Sequence, residues 1–223
     1  MKSSSGRRLL LIRATGLPWI AATLLCAVCW VSAGAQAAPQ ALAADEADAT
    51  APVTAPAVTR LQNALLEAMR DHGSRSERET FLAPVVAAVF DLRNIARISL
   101  GSTWRELGEP ARADFVARLQ TLISATYAAR FEVANGLSFE ILAIENVPRG
   151  QVVRTRLLRS PDDPVSLDYF LRDGLIFDVV ADGVSDLSLR RADYASVIQS
   201  AGYPALLDDL DASIVKLRSG DEI

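Results

Sequence analysis

The sequence has few of the residues that carry chemistry in small proteins. Its 223 residues include one histidine and two cysteines, Cys26 and Cys29. With so few imidazoles and thiols, a metal site is not expected. Ser185 has no histidine to activate it as a nucleophile. Both cysteines lie near the start of the chain, in a segment with the features of a leader. The domain that follows therefore has no disulfide and depends on its hydrophobic core.

That leader comprises residues 1–37. Four basic residues come first, an apolar run follows over residues 17–31, and two small-x-small sites for signal peptidase end at Ala35 and Ala37. The run is short for a bilayer span of about 20 residues, which favours cleavage near Ala35–Ala37 over an uncleaved membrane anchor. The Arg7-Arg8 pair is similar to a twin-arginine signal, but the leucine directly after it weakens this similarity. Both the general secretory route and the twin-arginine route therefore stay open.

Removal of the leader makes the chain strongly acidic. It takes away four cations and no anions, which leaves 19 basic and 27 acidic residues, a net charge of about −8. A surface of this sign disfavours nucleic acid and anionic membranes as standing partners.

Composition divides the remaining chain into two parts. Residues 38–57 are mostly Ala, Pro, Thr and Asp with almost nothing large to bury, which predicts a disordered tether. Residues 58–220 are long enough to form one domain with a sizeable core.

Apolar residues recur at helical spacing through the first half of this domain. The Ser76-x-x-Glu79 pattern predicts a capping box at the start of one helix, in which Pro84 is tolerable only if that start lies close to it. Asp91 is expected to cap the next helix, and Gly101 to end it. A longer helix is predicted from Pro110, in its first turn, to the Asn135-Gly136 pair.

From residue 137 the apolar period changes to two, which is typical of β-strands. Four strands are predicted, over residues 137–147, 152–159, 165–171 and 175–180. After Asp182, which is expected to cap the next helix, the helical period returns and continues into a last helix that begins at Pro204. Helices, a four-stranded antiparallel meander and further helices predict an α+β fold.

The last two strands can be joined by a loop of two or of three residues. A two-residue Asp173-Gly174 turn would mix apolar and charged side chains on each face. A three-residue loop with Gly174 in the left-handed conformation puts all six apolar side chains on one face. The pattern therefore predicts the pairs Leu171–Leu175, Tyr169–Phe177 and Leu167–Val179.

The strand before this hairpin extends the same apolar face. Val153, Thr155 and Leu157 alternate with arginines, and symmetric closure of the loop over residues 160–164 sets Leu157 opposite Leu167 and Arg156 opposite Asp168. In the first strand, the odd-numbered Phe139 and Ile141 indicate that odd-numbered residues face the apolar side, whereas Leu142 and Ile144 indicate the even-numbered ones. The register of this strand therefore stays open.

An apolar face of this kind is consistent with a filled core, a ligand cavity or an enzyme. In an enzyme, Asp168, Asp178 or Asp182 would act as a general base if burial raised its pKa. The predicted register turns Asp168 and Asp178 away from the apolar face and gives Asp168 an arginine partner, which argues against catalysis.

The order and spacing of several short motifs resemble the MlaC family, also known as toluene-tolerance auxiliary proteins. The most specific is Phe177-Asp178-x4-Gly183-Val184-Ser185 at a strand-to-helix junction. The others are Phe90-Asp91-x4-Ala96-x3-Leu100-Gly101-x2-Trp104, Ala111-Arg112-x2-Phe115, Arg190-x3-Tyr194 and Gly202-Tyr203-x2-Leu206-x3-Leu210. The resemblance covers nearly all of the chain after the tether. A tryptophan often seen before the Phe-Asp pair is missing here, and Asp182 stands where glutamate is common.

The resemblance implies a periplasmic phospholipid carrier that maintains outer-membrane lipid asymmetry. Such a monomeric carrier would hold acyl chains in an apolar cavity between sheet and helices, without a cofactor. It would travel between an inner-membrane ABC transporter with a lipid-binding ring subunit and an outer-membrane lipoprotein–porin complex. The predicted lipid-binding residues are Phe139, Ile141, Val153, Thr155, Leu157, Leu167, Tyr169, Leu171, Leu175, Phe177 and Val179. The alternatives are a hopanoid-associated lipid-binding protein of the same fold, a small enzyme that uses the apolar face, and a structural adaptor with a solid core.

Overall fold

The structure, a computed structural model, describes residues 55–132, 136–159 and 162–220. The predicted leader and residues 38–54 of the predicted tether lie outside these residues. Helix α1 begins at Pro56, and Ala55 and Ala57 are buried. The tether was therefore predicted two residues too long, because its small residues pack in the first turn of a helix that proline can start.

The described residues form helices on either side of a β-meander in sequence. The helices are α1 Pro56–Asp71, α2 Arg75–Val89, α3 Leu92–Leu100, α4 Thr103–Glu106, α5 Glu109–Arg130, α6 Asp186–Ala201 and α7 Tyr203–Ser219. The strands are β1 Ser138–Val147, β2 Gly150–Leu158, β3 Val165–Arg172, β4 Leu175–Ala181 and β5 Val184–Ser185. Among these helices, none is long and apolar enough to cross a membrane.

The strands form one antiparallel sheet in the order β1-β2-β3-β4-β5. The α+β fold and the four predicted strands are confirmed, and the two-residue β5 adds to β4 through Val180↔Ser185 and Ala181↔Val184. One hydrophobic core joins the sheet to the helices, with Leu61, Phe115 and Leu119 fully buried among the helices.

The predicted start of α2 was wrong by two residues. The capping box is formed by Ser74 and Glu77, since Ser74 Oγ accepts from Glu77 N and the Glu77 carboxylate accepts from Ser74 N. Both serines fit the Ser-x-x-Glu pattern, but Ser74 directly follows Gly73 in the short connection after α1. Pro84 lies inside α2, far from its start, and burial of the neighbouring Leu82 and Val86 offsets the lost helical hydrogen bond.

Most other predicted helix ends are confirmed. Asp91 accepts from Asn94 N at 3.1 Å, and Gly101, with φ of +58°, ends α3. Pro110 and Pro204 lie in the first turns of α5 and α7. Helix α5 ends at Arg130, however, five residues before the predicted stop at Asn135-Gly136, of which Asn135 lies outside the described residues.

The predicted register of the β3–β4 hairpin was wrong. A two-residue turn connects the strands, with Asp173 at φ of +51° and Gly174 at +78°, the combination of a type I′ turn. Arg172 pairs with Leu175 and Leu171 with Ile176, and a β-bulge at Phe177 then shifts the register so that Tyr169 pairs with Val179 and Leu167 with Ala181. The bulge lets a tight turn coexist with a continuous apolar face.

The β2–β3 pairing differs from the prediction by two residues. Arg154, not Arg156, lies opposite Asp168 and forms an ion pair with it; Arg154 also contacts Glu145 at 3.1 Å. Leu157 lies opposite Val165, and Thr155 opposite Leu167. A shift of two residues preserves the face of each side chain, so the apolar set stays together.

A second bulge resolves the open register of β1. Phe139 pairs with Leu157 and Ile141 with Thr155, and the register then shifts so that Ile144 pairs with Val153. Leu142 is the extra residue. Phe139 and Ile141 before the bulge and Ile144 after it therefore lie on one face, although they are not evenly spaced in the sequence.

Candidate functional site

The candidate site is the sheet face that packs against the helices, here called the inner face. Cross-strand pairing assigns to it Phe139, Ile141, Ile144, Val153, Thr155, Leu157, Leu167, Tyr169, Leu171, Ile176 and Val179, and at its ends Asn146, Gln151, Val165 and Ala181. Nine of the eleven predicted lipid-binding residues lie on this face. Ile144 and Ile176 were missed because a bulge separates each of them from the other inner-face residues of its strand. The bulge interrupts the alternation on which the prediction was based.

Of the other two predicted residues, Leu175 lies on the opposite face, whereas Phe177 is partly buried and packs against the hydrophobic core. Leu175 pairs with Arg172, and Phe177 is the bulged residue of β4. The Phe177 ring lies 6.4 Å from that of Phe170, with the Arg172 guanidinium 5.1 Å from its centroid. Phe177 helps to line a hollow of about 350 Å³ beside the β1–β2 turn. Among the predicted residues, Leu171 also lines this hollow.

Burial changes across the inner face. Val153, Thr155, Tyr169, Leu171 and Ile176 are each at most 2% exposed. The centre of the face is thus closely packed against the helices, where a cavity was predicted. A groove of about 650 Å³ lies elsewhere, between α1 and α2.

Along β1, at the edge of the sheet, the inner face is open. Ile141 is 42% exposed, and Phe139 and Ile144 are half-buried. A row of aromatic rings leads from the end of α5 to this edge. The ring centroids of Tyr127 and Phe131 are 5.9 Å apart, and those of Phe131 and Phe139 are 6.2 Å apart. The least tightly covered part of the apolar face is therefore where α5 ends beside β1.

The hydroxyl groups of the inner face stay neutral under physiological conditions. Burial raises the pKa of Tyr169 to about 12. Burial likewise raises the pKa of the nearby Tyr127. Thr155 Oγ1 donates to the Leu167 carbonyl oxygen at 2.7 Å. The residues assigned to the inner face include no charged side chain, so the face is suited to apolar contact.

The three aspartates considered as general bases have structural partners. Asp168 pairs with Arg154 on the opposite face. Asp178 accepts from Ser185 Oγ at 2.7 Å and from Leu187 N at 3.0 Å. Asp182 accepts from Ser166 N at 2.9 Å and does not cap α6 as predicted; Ser185 does, by accepting from Ser188 N.

These contacts explain the Phe-Asp-x4-Gly-Val-Ser motif. The chain turns at Asp182-Gly183, where both residues have positive φ, and β5 then brings Ser185 beside Asp178. The carboxylate occupies the start of α6, where unpaired N–H groups and the helix dipole favour a negative charge. The motif thus joins the end of β4 to the first turn of α6.

We expect Asp178→Ala to lower the free energy of unfolding by about 2 kcal/mol, because two hydrogen bonds to a carboxylate at a helix start are lost. Ser185→Ala should cost about 1 kcal/mol. Urea denaturation measures both. Asp193→Ala, at an exposed position of the same helix, is the control and should stay within about 0.5 kcal/mol of the parent. Equal stability of Asp178→Ala and the control would contradict this role.

Comparisons with known proteins agree with this architecture. A family model described as MlaC protein matches residues 59–212. A solved structure of a phospholipid-binding protein from Ralstonia solanacearum, in complex with a phospholipid, matches with a TM-score of 0.64 at 16% identity, covering 73% of this chain and 97% of that chain. At such low identity, the likeness shows a shared fold. A search of curated proteins finds no significant match.

Proposed function

Because this chain belongs to the MlaC protein family, we propose that it is a carrier which binds phospholipid through contact of the acyl chains with the inner face of its sheet. The observation that carries the proposal is an apolar face four strands wide that is closed at its centre and open along β1. Support also comes from the Ralstonia solanacearum protein, a phospholipid-binding protein of the same fold.

The energetics explain why a carrier needs such a face. Burial of each methylene group is worth about 0.8 kcal/mol, so a long acyl chain exposed to water costs on the order of 10 kcal/mol. A carrier must replace this contact almost completely with apolar side chains. Since the centre of the inner face is filled by the helices, bound chains would have to separate them from the sheet, starting at the Phe131–Phe139 contact.

The cellular role follows the family resemblance as a proposal. The carrier would act as a monomer in the periplasm and require no cofactor. It would move phospholipid between an inner-membrane ABC transporter with a lipid-binding ring subunit and an outer-membrane lipoprotein–porin complex. The surfaces that contact these partners would leave the β1 edge accessible, so that the acyl chains can pass directly from one protein to the next.

Native mass spectrometry of the protein, expressed with its leader in a bacterial periplasm, tests the proposal. We expect a stoichiometric phospholipid that leaves only on denaturation and is identified by extraction. A hopanoid in its place would keep the carrier and change its cargo. A protein that is isolated empty, and that takes up no lipid from vesicles or detergent, would contradict the proposal and favour a structural core.

A further inference from the structure

The hollow beside the β1–β2 turn is an apolar site separate from the β1 edge where lipid is proposed to enter. Five of its seven lining residues are apolar, and two of these, Phe170 and Phe177, have ring centroids 6.4 Å apart. Phe170 lies on the face away from the helices, opposite Val152, which is 2% exposed. With a volume of about 350 Å³, the hollow is at the small end of the range for binding pockets.

Two arginines lie beside this hollow. Arg149 lines it from the β1–β2 turn, and the Arg172 guanidinium lies over the Phe177 ring, 5.1 Å from its centroid. The two residues are neighbours in space, because a Cβ atom on Gly150 would lie 3.3 Å from the Cα atom of Arg172. In the part of the chain that the structure describes, neither arginine forms an ion pair, although the exposed Asp173 follows Arg172 directly. Two positive charges are therefore available beside an apolar site.

We propose that the hollow is a docking site for an acidic segment of a partner protein, which inserts one large apolar side chain flanked by carboxylates. The inference rests on the proposed carrier function and adds the chemistry of one surface through which the carrier meets a partner. The apolar side chain fills the hollow, and the carboxylates bind Arg149 and Arg172. Aromatic rings and arginines are the residue types that contribute most to binding at protein interfaces.

The position of Arg172 prepares it to bind a carboxylate. Contact with the face of the Phe177 ring restricts the guanidinium and leaves the N–H groups at its edge free to donate. A guanidinium can donate two parallel hydrogen bonds to one carboxylate. Because the side chain is already restricted before binding, less conformational entropy is lost when the partner arrives.

The charge of the whole chain favours a short acidic segment over an anionic membrane. The chain has 27 acidic and 23 basic residues. An extended anionic surface would face many of these carboxylates together with the two arginines, and most of the contact would be repulsive. A short segment contacts the hollow alone. Repulsion elsewhere on the surface would then direct an acidic partner to this one place.

The hollow also lies where a docked partner would leave the proposed lipid entrance open. Val147, which lines the hollow, and Phe139, which contacts Phe131, lie near opposite ends of the ten-residue β1. About 25 Å separates them at the rise of a strand. A partner bound at the hollow is therefore held close to the β1 edge without covering the Phe131–Phe139 contact.

A phage-displayed library of random short peptides tests the proposal. The library is selected against the full chain, purified from a bacterial periplasm, at low ionic strength, where charge attraction is least screened. We expect the enriched peptides to share a large apolar residue with Asp or Glu on both sides. A synthetic peptide of the enriched sequence should bind in fluorescence anisotropy, with an affinity that falls as salt is added.

Charge-reversal variants locate the peptide. Arg149→Glu and Arg172→Glu should each lower its affinity at least about tenfold, because a charge-assisted hydrogen bond is replaced by repulsion. Arg159→Glu makes the same charge change at the far end of β2 from the hollow and should bind the peptide as the parent does. Val147→Asp, in the lining of the hollow, should also weaken binding, whereas Val215→Asp, at a 65% exposed position of α7, should not.

The outcomes separate this proposal from the carrier function. A selection that enriches no acidic peptides would overturn the docking site, as would a peptide that binds Arg149→Glu and Arg172→Glu as tightly as the parent. Binding to phosphatidylglycerol vesicles that is lost in these two variants, without any acidic peptide, would replace it with a membrane contact. Lipid extraction from the same preparations tests the carrier: a protein that binds the peptide but neither contains nor takes up phospholipid would contradict the carrier function alone. If Arg172→Glu does not fold, the exposed Arg149 still decides.

Discussion

Ile141→Asp is expected to lower the amount of bound phospholipid at least about tenfold while the fold is preserved. Ile141 lies on the inner face opposite the buried Thr155, yet it is 42% exposed. A carboxylate is therefore hydrated in the unloaded protein and would have to be desolvated against acyl chains in the loaded one, which is strongly unfavourable. Aspartate is preferred to arginine, whose long side chain can place its charge in water. Lipid per protein is measured by extraction.

The adjacent residue provides a matched control. Leu142 is 48% exposed, but it is the extra residue of the bulge, and alternation along β1 turns it away from the inner face. Leu142→Asp adds the same charge to the same edge strand, and we expect it to retain its lipid. Equal losses in both variants would contradict the assignment of lipid to the inner face. Positions at the centre of the face, such as Tyr169 at 2% exposure, are unsuitable because a charge there would unfold the protein.

Gly150→Ala is expected to have the largest effect on stability. Gly150 begins β2 with φ of +138°, and a Cβ atom at this position would lie 1.9 Å from the carbonyl oxygen of Leu171. The β1–β2 turn lies so close to β3 that one strand must move. Backbone strain and overpacking together predict a loss of about 3–5 kcal/mol. Thermal unfolding should show a decrease in Tm of roughly 10 °C.

Gly174→Ala is the control for backbone strain alone. Gly174 also has a positive φ, of +78°, but an added Cβ would meet no atom within 4 Å. We expect a loss of about 1 kcal/mol. If Gly150→Ala were no less stable than Gly174→Ala, the close approach of Gly150 to Leu171 would not exist in solution.

The inner face shows how far periodicity alone could predict the site. Alternation identified most of its residues, because burial on one face imposes a period of two on each strand. The errors concentrate at the two bulges. Leu175 was placed on the inner face and Ile176 was missed, since one extra residue reverses the alternation of all residues beyond it. A bulge depends on the pairing between strands and has no distinct signal in one strand's sequence.

The polar motifs show a similar limit. The Phe-Asp-x4-Gly-Val-Ser spacing identified the family, but the role of Asp178 required the position of Ser185 and Leu187 across the turn. Likewise, Gln62 is unremarkable in an amphipathic helix. Its burial, at 5% exposure, depends on how α1 packs against segments distant in the sequence, which local patterns do not reveal.

The sequence by itself determined the α+β order of elements, most helix ends, the composition of the apolar face and the family, because each depends on local periodicity or on short motifs. The tertiary structure alone decided which side chains meet: the registers of the sheet, the closed centre and open β1 edge of the inner face, and the partners of Asp178. These features depend on contacts between distant segments, where packing and backbone hydrogen bonding outweigh local preference.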